Sequence, residues 1–334
     1  MENKYQYYVA EKGFDNILNA GVVRKDNETI LDAIGFIPLH FNNADATSAV
    51  AGIARFLKLL QFFFSINKKS LVVFHFPLLA TIYKWLLIVL KWRGIHTAAI
   101  IIDIDGLRDK DILLLNKEMK LLGHFKYIVA HNAAMKEWLL QYLPGATIFT
   151  IDLFDYPING APPHREYSNT VCFAGTIPKA TFAYSLKQTQ QLRFNVYGDG
   201  YNAAMNAKES FCYKGVFKPV LLPAKLEGSF GLVWDGASID VCEEYLKYNN
   251  PHKLSLYLAA GLPVIVWEQS AVANFVKEKN IGITINELFE IEEKIKSMSV
   301  AEYDVMQQNV LMIGKQIRKG FYLDRVFGQI DKAL

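Results

Sequence analysis

Residues 249–267 read NNPHKLSLYLAAGLPVIVW and decide the fold, because they combine a short helix with a buried strand. Asn250 is a favourable N-cap residue, and Pro251 suits the first helical position. Gly261 suits a left-handed C-terminal cap, and Pro263 prevents the helix from continuing into the apolar run that follows. The segment therefore predicts one helix–strand step of an α/β domain.

The same alternation extends over the rest of the chain. Apolar runs without polar alternation predict strands that are covered on both faces, as in a parallel sheet. In the first half these runs are Phe36–Phe41, Leu71–Phe76, Thr97–Asp103, Tyr127–Ala130 and Thr147–Asp152. In the second half they are Val171–Ala174, Phe194–Tyr197, Phe230–Trp234, Pro263–Trp267 and Ile281–Ile285. Helical spacing between the runs predicts doubly wound sheets.

Helices are predicted over Ala46–Ile66, Leu78–Trp92, Lys110–Leu122, Ala133–Tyr142, Lys179–Gln190, Val220–Glu227, His252–Ala260, Ala271–Glu278 and Leu288–Met298. Residues 301–334 look helical throughout. Phe154–Thr170 holds three prolines and a glycine, and this composition predicts a linker. We therefore expect an α/β protein with two Rossmann-like domains facing a cleft. Its predicted parts are residues 1–153, the linker 154–170, residues 171–316, and a helix over 317–334 that crosses back to the first domain.

Composition excludes several protein classes. Hydrophobic residues make up 51% of the chain and charged residues 21%, which excludes a disordered protein or a coiled coil. A net charge of +3 is too small to indicate a nucleic-acid-binding protein. Cys172, Cys212 and Cys242 have neither zinc-site nor disulfide-framework spacing. The N-terminus shows no signal-peptide pattern, so we expect a cytoplasmic location.

Two turns of the second half could hold an anion. Lys253 lies in the first turn of the helix in residues 249–267, where pyrophosphate would meet free backbone N–H groups. The alternative is an exposed lysine on an ordinary capped helix. Gly175 and Thr176 end a strand, and Lys179 would then face the cleft, unless this is only a tight turn. Asp235 also follows a strand and should reach the same place.

Residues 198–203 match the dinucleotide-binding pattern G-x-G-x-x-A after a strand. The match lies in the second β-α unit of its domain. No strand ending in Asp or Glu follows about 20 residues later, as a ribose contact would require. NAD binding is therefore disfavoured.

The first half offers three candidate catalytic groups. Asp103 and Asp105 follow a buried strand, where they could hold Mg²⁺ or Mn²⁺ on a diphosphate or accept a proton from a sugar hydroxyl. The alternative is an aspartate cap paired with Arg108. His131 follows another strand and opens a helix, so it should lie at the cleft rim, unless it is an ordinary structural histidine.

One pair of predicted helices is unusually apolar. Ile82–Arg93 interleaves two tryptophans with three cations, and Leu57–Phe64 forms a second apolar helix. Such a face suits contact with a membrane surface, where cations meet anionic headgroups. The alternative is a pair of core helices.

These segments resemble bacterial GT-B glycosyltransferases. The resemblance is closest to the group that holds the β-1,6-galactofuranosyltransferases of polysaccharide synthesis and the accessory glucosyltransferase of serine-rich adhesins. The matching segments are residues 100–108, 129–139, 153–157, 172–182, 231–236 and 249–267, which span most of the chain.

The resemblance implies a GT-B fold that binds a UDP-sugar in the C-terminal domain and the acceptor in the N-terminal domain, with no bound metal or other cofactor. It implies that Lys253 and Lys179 meet the diphosphate. Thr176, Asn250 and Ser255 would lie close by, and Tyr213 would flank the uridine.

Two positions depart from the family pattern. Leu256 stands where many GT-B enzymes have a ribose-binding glutamate, so the ribose contact must come from elsewhere. Ile102 stands where relatives have a histidine, which leaves Asp103, Asp105 and His131 as candidate catalytic groups.

We therefore expect a cytoplasmic hexosyltransferase that moves galactofuranose or glucose from UDP to a hydroxyl of a growing glycan. The acceptor would be a glycan, a lipid-linked glycan or a glycoprotein. We further expect the enzyme to act at the inner face of the cell membrane and to form a homo-oligomer. Two alternatives stay open: a metal-dependent GT-A transferase with Asp103 and Asp105 as ligands, and a non-catalytic subunit that binds a sugar nucleotide.

Overall fold

The structure, a computed structural model, describes residues 6–10, 20–40, 48–78, 80–206, 208–236, 238–239 and 243–334. Phe41 and Ala46, at the ends of predicted elements, and Cys242 lie outside the described residues. The chain forms two compact units, Met1–Asp152 with Tyr322–Leu334, and Leu153–Phe321. Each unit is built on a six-stranded sheet whose strand pairs are parallel.

The first unit has the strand order β2-β1-β3-β4-β5-β6. Its strands are β1 Gln6–Ala10, β2 Ile37–His40, β3 Leu71–Phe76, β4 His96–Ile101, β5 Tyr127–Ala130 and β6 Thr147–Thr150. Its helices before the second unit are α1 Ala20–Ala33, α2 Ala49–Ser65, α3 Thr81–Trp92, α4 Asp105–Arg108, α5 Ile112–Leu122 and α6 Ala133–Tyr142.

The second unit has the strand order β12-β11-β10-β7-β8-β9. Its strands are β7 Thr170–Ala174, β8 Arg193–Tyr197, β9 Cys212–Gly215, β10 Phe230–Val233, β11 Val264–Trp267 and β12 Gly282–Ile285. Its helices are α7 Leu222–Lys225, α8 His252–Ala259, α9 Ala273–Lys279, α10 Glu290–Ser297 and α11 Val300–Arg318. The chain runs outward from β7 in one direction and returns to β10 on its other side, so the strand order reverses between β7 and β10.

The last helix, α12 Phe321–Ala333, packs in the first unit. The ring of Phe327 meets the ring of Phe36 edge to face, with the centroids 5.0 Å apart. The Tyr127 hydroxyl donates a hydrogen bond of 3.0 Å to the carbonyl oxygen of Ala333. The first unit therefore includes a segment that follows the whole second unit along the chain.

The predicted helix over Lys179–Gln190 is wrong. Two 3-10 turns, Ile177–Lys179 and Thr181–Ser185, replace it. Phe182 and Ala183 are consecutive and both fully buried, and the residues after Leu186 are polar. The segment therefore lacks the apolar stripe that would hold a long helix against the sheet.

Other differences have local causes. The predicted helix over Val220–Glu227 shrinks to α7, which begins next to Pro223 because proline fits only the first helical turn. Residues 301–334 form two helices that separate at Gly320, whose φ is +75°. Four short or mostly polar elements, β1, α1, α4 and β9, were not predicted.

A buried tyrosine ties α8 to β7. The pairing described between β10 and β7 ends at Gly231 and Cys172. Beyond that point the Tyr257 hydroxyl accepts a hydrogen bond of 2.8 Å from the backbone N–H of Ala174. The Tyr257 ring covers Gly231, where a Cβ atom would lie 2.2 Å from it. Gly231 and Tyr257 thus set the spacing between α8 and the end of β7.

Replacing Tyr257 with Phe should lower the free energy of unfolding by about 1–3 kcal/mol, because the buried N–H of Ala174 loses its acceptor. Urea unfolding followed by circular dichroism measures this change. Tyr142→Phe is the control, because Tyr142 is 42% exposed, and it should change stability by less than about 0.5 kcal/mol. Equal effects of the two substitutions would contradict the role given to Tyr257.

Replacing Phe327 with Ala should cost about 3–5 kcal/mol, the usual range for a buried aromatic ring, because Phe327 is 3% exposed. The same unfolding measurement applies. Phe289→Ala is the matched control, since Phe289 is 67% exposed. A Phe327→Ala variant as stable as the control would show that α12 contributes little to the first unit.

Candidate active site

The candidate donor site lies at the carboxyl ends of β7 and β10. Lys253, the second residue of α8, donates through Nζ to the carbonyl oxygen of Trp234 at 3.0 Å and forms an ion pair with Asp235. The same Nζ lies 5.0 Å from the ring centroid of Phe173. Ligands of open α/β sheets bind where the strand order reverses, and Lys253 stands at that point.

The start of α8 differs from the prediction by one residue. Pro251, in extended conformation with ψ of 130°, occupies the N-cap position, so the helix begins at His252 and not at Pro251. The predicted N-cap Asn250 lies one residue farther out and is 3% exposed. The side chain of Pro251 makes no capping hydrogen bond to the first turn. Its backbone N–H groups and the positive end of the helix dipole favour an anion there.

Two glycine turns meet beside this helix. Gly175 and Thr176 are both half-buried. The N–H of Gly175 donates to the carbonyl oxygen of Tyr197 at 3.0 Å. Gly198 has φ of +140°, and a Cβ atom there would lie 1.7 Å from the oxygen of Gly175. The close approach of two backbones therefore requires glycine at residue 198. This accounts for the glycine at the start of the dinucleotide-like pattern without a bound dinucleotide.

Lys179 and Tyr213 are placed differently from Lys253. Lys179 is exposed at the end of a 3-10 turn and not at the start of a helix. The Tyr213 hydroxyl donates to the oxygen of Gly198 at 2.9 Å. The Tyr213 ring stacks on Tyr201 with the centroids 4.1 Å apart and the planes 13° apart. This stacked pair lies beside the Gly198 turn.

The expectation that Ser255 lies close to the diphosphate is corrected. Ser255 is 1% exposed, and its hydroxyl donates a 2.6 Å hydrogen bond to the carbonyl oxygen of Phe154. A serine hydroxyl has one proton, which is already used in this bond. Ser255 therefore fastens α8 to the segment that follows β6.

The candidate acceptor-side cluster lies between β4 and α5 in the first unit. Arg108 forms an ion pair of 2.9 Å with Asp105 and a second ion pair with Asp103. Burial is the main cause that raises the pKa of Asp105. The guanidinium group supplies the positive charge that the GT-A alternative assigned to a divalent cation. Over the described residues, no group of three or more His, Cys, Asp or Glu side chains could hold a metal ion.

Glu118 holds this cluster in place and was missed by the sequence analysis. It is 6% exposed, and its two oxygens accept hydrogen bonds from the N–H groups of Asp105 at 3.0 Å and Gly106 at 2.8 Å. Glu118 lies on the stripe of α5 that also buries Leu115 and Met119. A carboxylate on an apolar stripe is the signal that could have identified it.

The expectation that His131 lies at a cleft rim is wrong. The ring is 1% exposed, and its Nε2 lies 3.0 Å from the carbonyl oxygen of Ile101. Burial lowers the pKa of His131 to about 4, so the ring is neutral and donates to that carbonyl group. This geometry is that of a structural histidine between β4 and β5.

Comparisons with known proteins agree over most of the chain. The family described as "Glucosyltransferase 3-like, C-terminal domain" matches residues 171–330, and the corresponding N-terminal domain family matches residues 11–142. The β-1,6-galactofuranosyltransferase WbbI of Escherichia coli is 30% identical over 288 residues, which are 82% of this chain and 83% of that protein. Glucosyltransferase 3 of Streptococcus gordonii is 27% identical over 60% of this chain and 59% of its own.

A solved structure supports the fold. HepE of Anabaena, solved in complex with UDP, superposes with a TM-score of 0.64 over 99% of this chain and 100% of that chain, at 11% identity. The predicted GT-B fold, with two Rossmann-like domains, is confirmed. With both of its domain families matched, the chain belongs to the glucosyltransferase 3-like family of glycosyltransferases.

Proposed function

We propose that this protein transfers a hexose from a UDP-sugar to a hydroxyl group of a growing glycan, without a bound metal ion. The observation that carries the proposal is Lys253, which lies in the first turn of α8 where the strand order reverses. HepE was solved with UDP, and WbbI and glucosyltransferase 3 are named for transfer of a hexose. The enzyme is a hexosyltransferase.

On the donor side, Lys253, Lys179 and the first turn of α8 compensate the charge that UDP gains as the bond to the sugar breaks. Asp235 holds Lys253 extended when no diphosphate is bound, and the diphosphate then takes over part of this ion pair. Gly175 and Thr176 let phosphate oxygens approach the backbone. Asn250 lies beside the first turn, and Tyr213, stacked on Tyr201, flanks the uracil ring.

On the acceptor side, Asp105 accepts the proton of the attacking hydroxyl. Its raised pKa makes it a better base than an ordinary aspartate, and its backbone is held by Glu118. Asp103 and Arg108 orient the Asp105 carboxylate. The acceptor oxygen forms the new bond to the anomeric carbon, and UDP leaves with the electron pair of the old bond.

The names of the relatives suggest which sugar this enzyme transfers. Galactofuranose and glucose are the candidate sugars, because the E. coli relative is a galactofuranosyltransferase by name and the streptococcal relative a glucosyltransferase. The acceptor is a surface polysaccharide, a lipid-linked glycan or a glycoprotein. We place the enzyme in the cytoplasm at the inner face of the membrane and expect a homo-oligomer. The first unit binds the acceptor and the second unit binds the donor.

Release of UDP separates this proposal from the two alternatives. The protein is incubated with UDP-glucose or UDP-galactofuranose and an octyl glycoside acceptor, with and without EDTA. Turnover that persists in EDTA supports the proposal. Turnover lost in EDTA favours a metal-dependent enzyme, and UDP binding without turnover favours a sugar-nucleotide-binding subunit.

Replacing Lys253 with Ala should weaken UDP binding by about 1.5–3 kcal/mol, the range for a hydrogen bond to a charged group. This corresponds to a roughly 10- to 150-fold higher Kd, measured by titration calorimetry. Lys277→Ala is the matched control, because Lys277 forms an exposed ion pair with Glu268 in the same unit. An unchanged Kd for Lys253→Ala would remove Lys253 from the site.

Replacing Asp105 with Asn should lower kcat by about 10²–10⁴-fold while the Kd for UDP stays unchanged. Since the pKa of Asp105 is raised, the wild-type rate should fall on the acid side at a pH above the ordinary aspartate value of about 3.9. The carboxylate is protonated as the pH falls through this pKa, and the base is lost. The pH dependence of kcat/KM, measured with a UDP-sugar and an octyl glycoside, reports both effects.

Asp109→Asn is the control for this experiment, because Asp109 also contacts Arg108, at 2.8 Å, but is 54% exposed. It should retain the wild-type rate, and its acid limb should move only slightly to lower pH, because the charge of Asp109 is a minor cause of the raised pKa of Asp105. An Asp105→Asn variant with the same rate and acid limb as the wild type would exclude Asp105 as the base.

A further inference from the structure

Two helices of the first unit expose an unusual amount of apolar surface. On α3, Trp85, Ile88 and Trp92 follow each other at helical spacing and are 57%, 50% and 80% exposed. The opposite side of α3 is also apolar and is buried in the unit. The helix α3 is therefore apolar on its solvent-facing side as well as on its buried side. Exposed apolar patches of this kind mark interaction sites.

The helix α2 carries a second stripe of the same kind. Ile53, Phe56 and Phe64 are 63%, 60% and 77% exposed. The two stripes meet at the C-terminal ends of the helices, where the ring of Phe63 stacks on Trp92 with the centroids 5.7 Å apart. We name the six residues Ile53, Phe56, Phe64, Trp85, Ile88 and Trp92 the α2–α3 face.

The stretch of sequence that carries this face has charged side chains of one sign only. Residues 46–102 contain seven Lys and Arg and no Asp or Glu, whereas the rest of the chain has 29 Lys and Arg and 33 Asp and Glu. Lys84 and Lys91 are exposed on α3 and directly precede the two exposed tryptophans. No carboxylate within this stretch can neutralise its cations. The face therefore suits a partner that is apolar inside and anionic at its surface.

We propose that the α2–α3 face docks the protein on a bilayer surface that carries anionic phospholipid headgroups. Tryptophan prefers the depth of the headgroups, and lysine binds their phosphates while its stem lies on the apolar boundary. No described helix is long and apolar enough to cross a membrane. In this proposal the two helices lie along the surface. Each stays fixed to the unit by its buried side. The inference does not depend on which sugar the enzyme transfers.

A second copy of the chain fits this face less well. A two-fold dimer brings the same patch of both subunits together. Here it would bring two copies of the acid-free stretch 46–102, each with exposed Lys84 and Lys91, against each other, and like charges across an interface oppose association. An anionic bilayer supplies the opposite charge to the exposed Lys84 and Lys91.

Co-sedimentation of the full chain with vesicles tests the proposal. Vesicles of phosphatidylcholine alone are compared with vesicles that contain 30–40% phosphatidylglycerol, roughly the range that gives a strongly negative surface. We expect binding to the anionic vesicles that falls as salt is raised from about 0.1 to 0.5 M, since salt screens the headgroups. We expect the double variant Lys84→Glu, Lys91→Glu to bind at least about twentyfold more weakly.

A charge-matched control and an apolar variant complete the experiment. Lys315→Glu with Lys319→Glu reverses two exposed lysines at the end of α11 and should bind vesicles like the wild type. Trp85→Ser should weaken binding without removing its salt dependence. Thermal unfolding and UDP binding confirm that each variant is folded.

Three results would overturn the proposal. The protein could stay in the supernatant with anionic vesicles at low salt. It could bind equally well after reversal of Lys84 and Lys91. Finally, sedimentation velocity without lipid could show a dimer that Trp85→Ser dissociates, which would make the α2–α3 face a contact between two copies of the chain.

Discussion

The hydrogen bond between the Ala174 N–H and the Tyr257 hydroxyl is the constraint on which the candidate donor site depends. The strands β7 and β10 stop pairing just before it, and Tyr257 satisfies the N–H group that this separation leaves without a strand partner. The same side chain anchors the helix that carries Lys253. One buried side chain thus links the turn at Gly175 to the helix whose lysine would meet a diphosphate.

The candidate acceptor-side cluster is held together by ion pairs and by a buried carboxylate. Its carboxylates are already paired with Arg108, and the turn that carries them is held by two hydrogen bonds to the buried Glu118. A preorganised cluster of this kind can accept a proton with little rearrangement. Burial of Asp105 works against its negative charge, whereas Arg108 works in favour of it, and burial is the larger influence on its pKa.

Much of the fold was predictable because it depends on local pattern. The strands Leu71–Phe76 and Tyr127–Ala130 and the helix Ala133–Tyr142 have the predicted bounds, since each is a continuous run with clear ends. Glu118 gave a local signal, a carboxylate on the apolar stripe of α5, but the partner of Ser255 was beyond such reasoning. The partner of Ser255 is the carbonyl group of Phe154, about a hundred residues away, and no local pattern reveals which way a hydroxyl of a buried helix turns. The burial of His131 likewise depends on the neighbouring strand.

The position of α12 imposes an order on synthesis. The core of the first unit includes Phe327 and other buried residues of a helix that is translated only after the entire second unit. On the ribosome, residues 6–152 emerge first, but an aromatic surface around Phe36 stays uncovered until Phe327 arrives. The second unit is one continuous segment, Leu153–Phe321, so it can complete its fold before the first unit does. The nascent chain therefore reverses the usual N-terminal-first sequence of domain completion. During that interval the early half needs protection from aggregation.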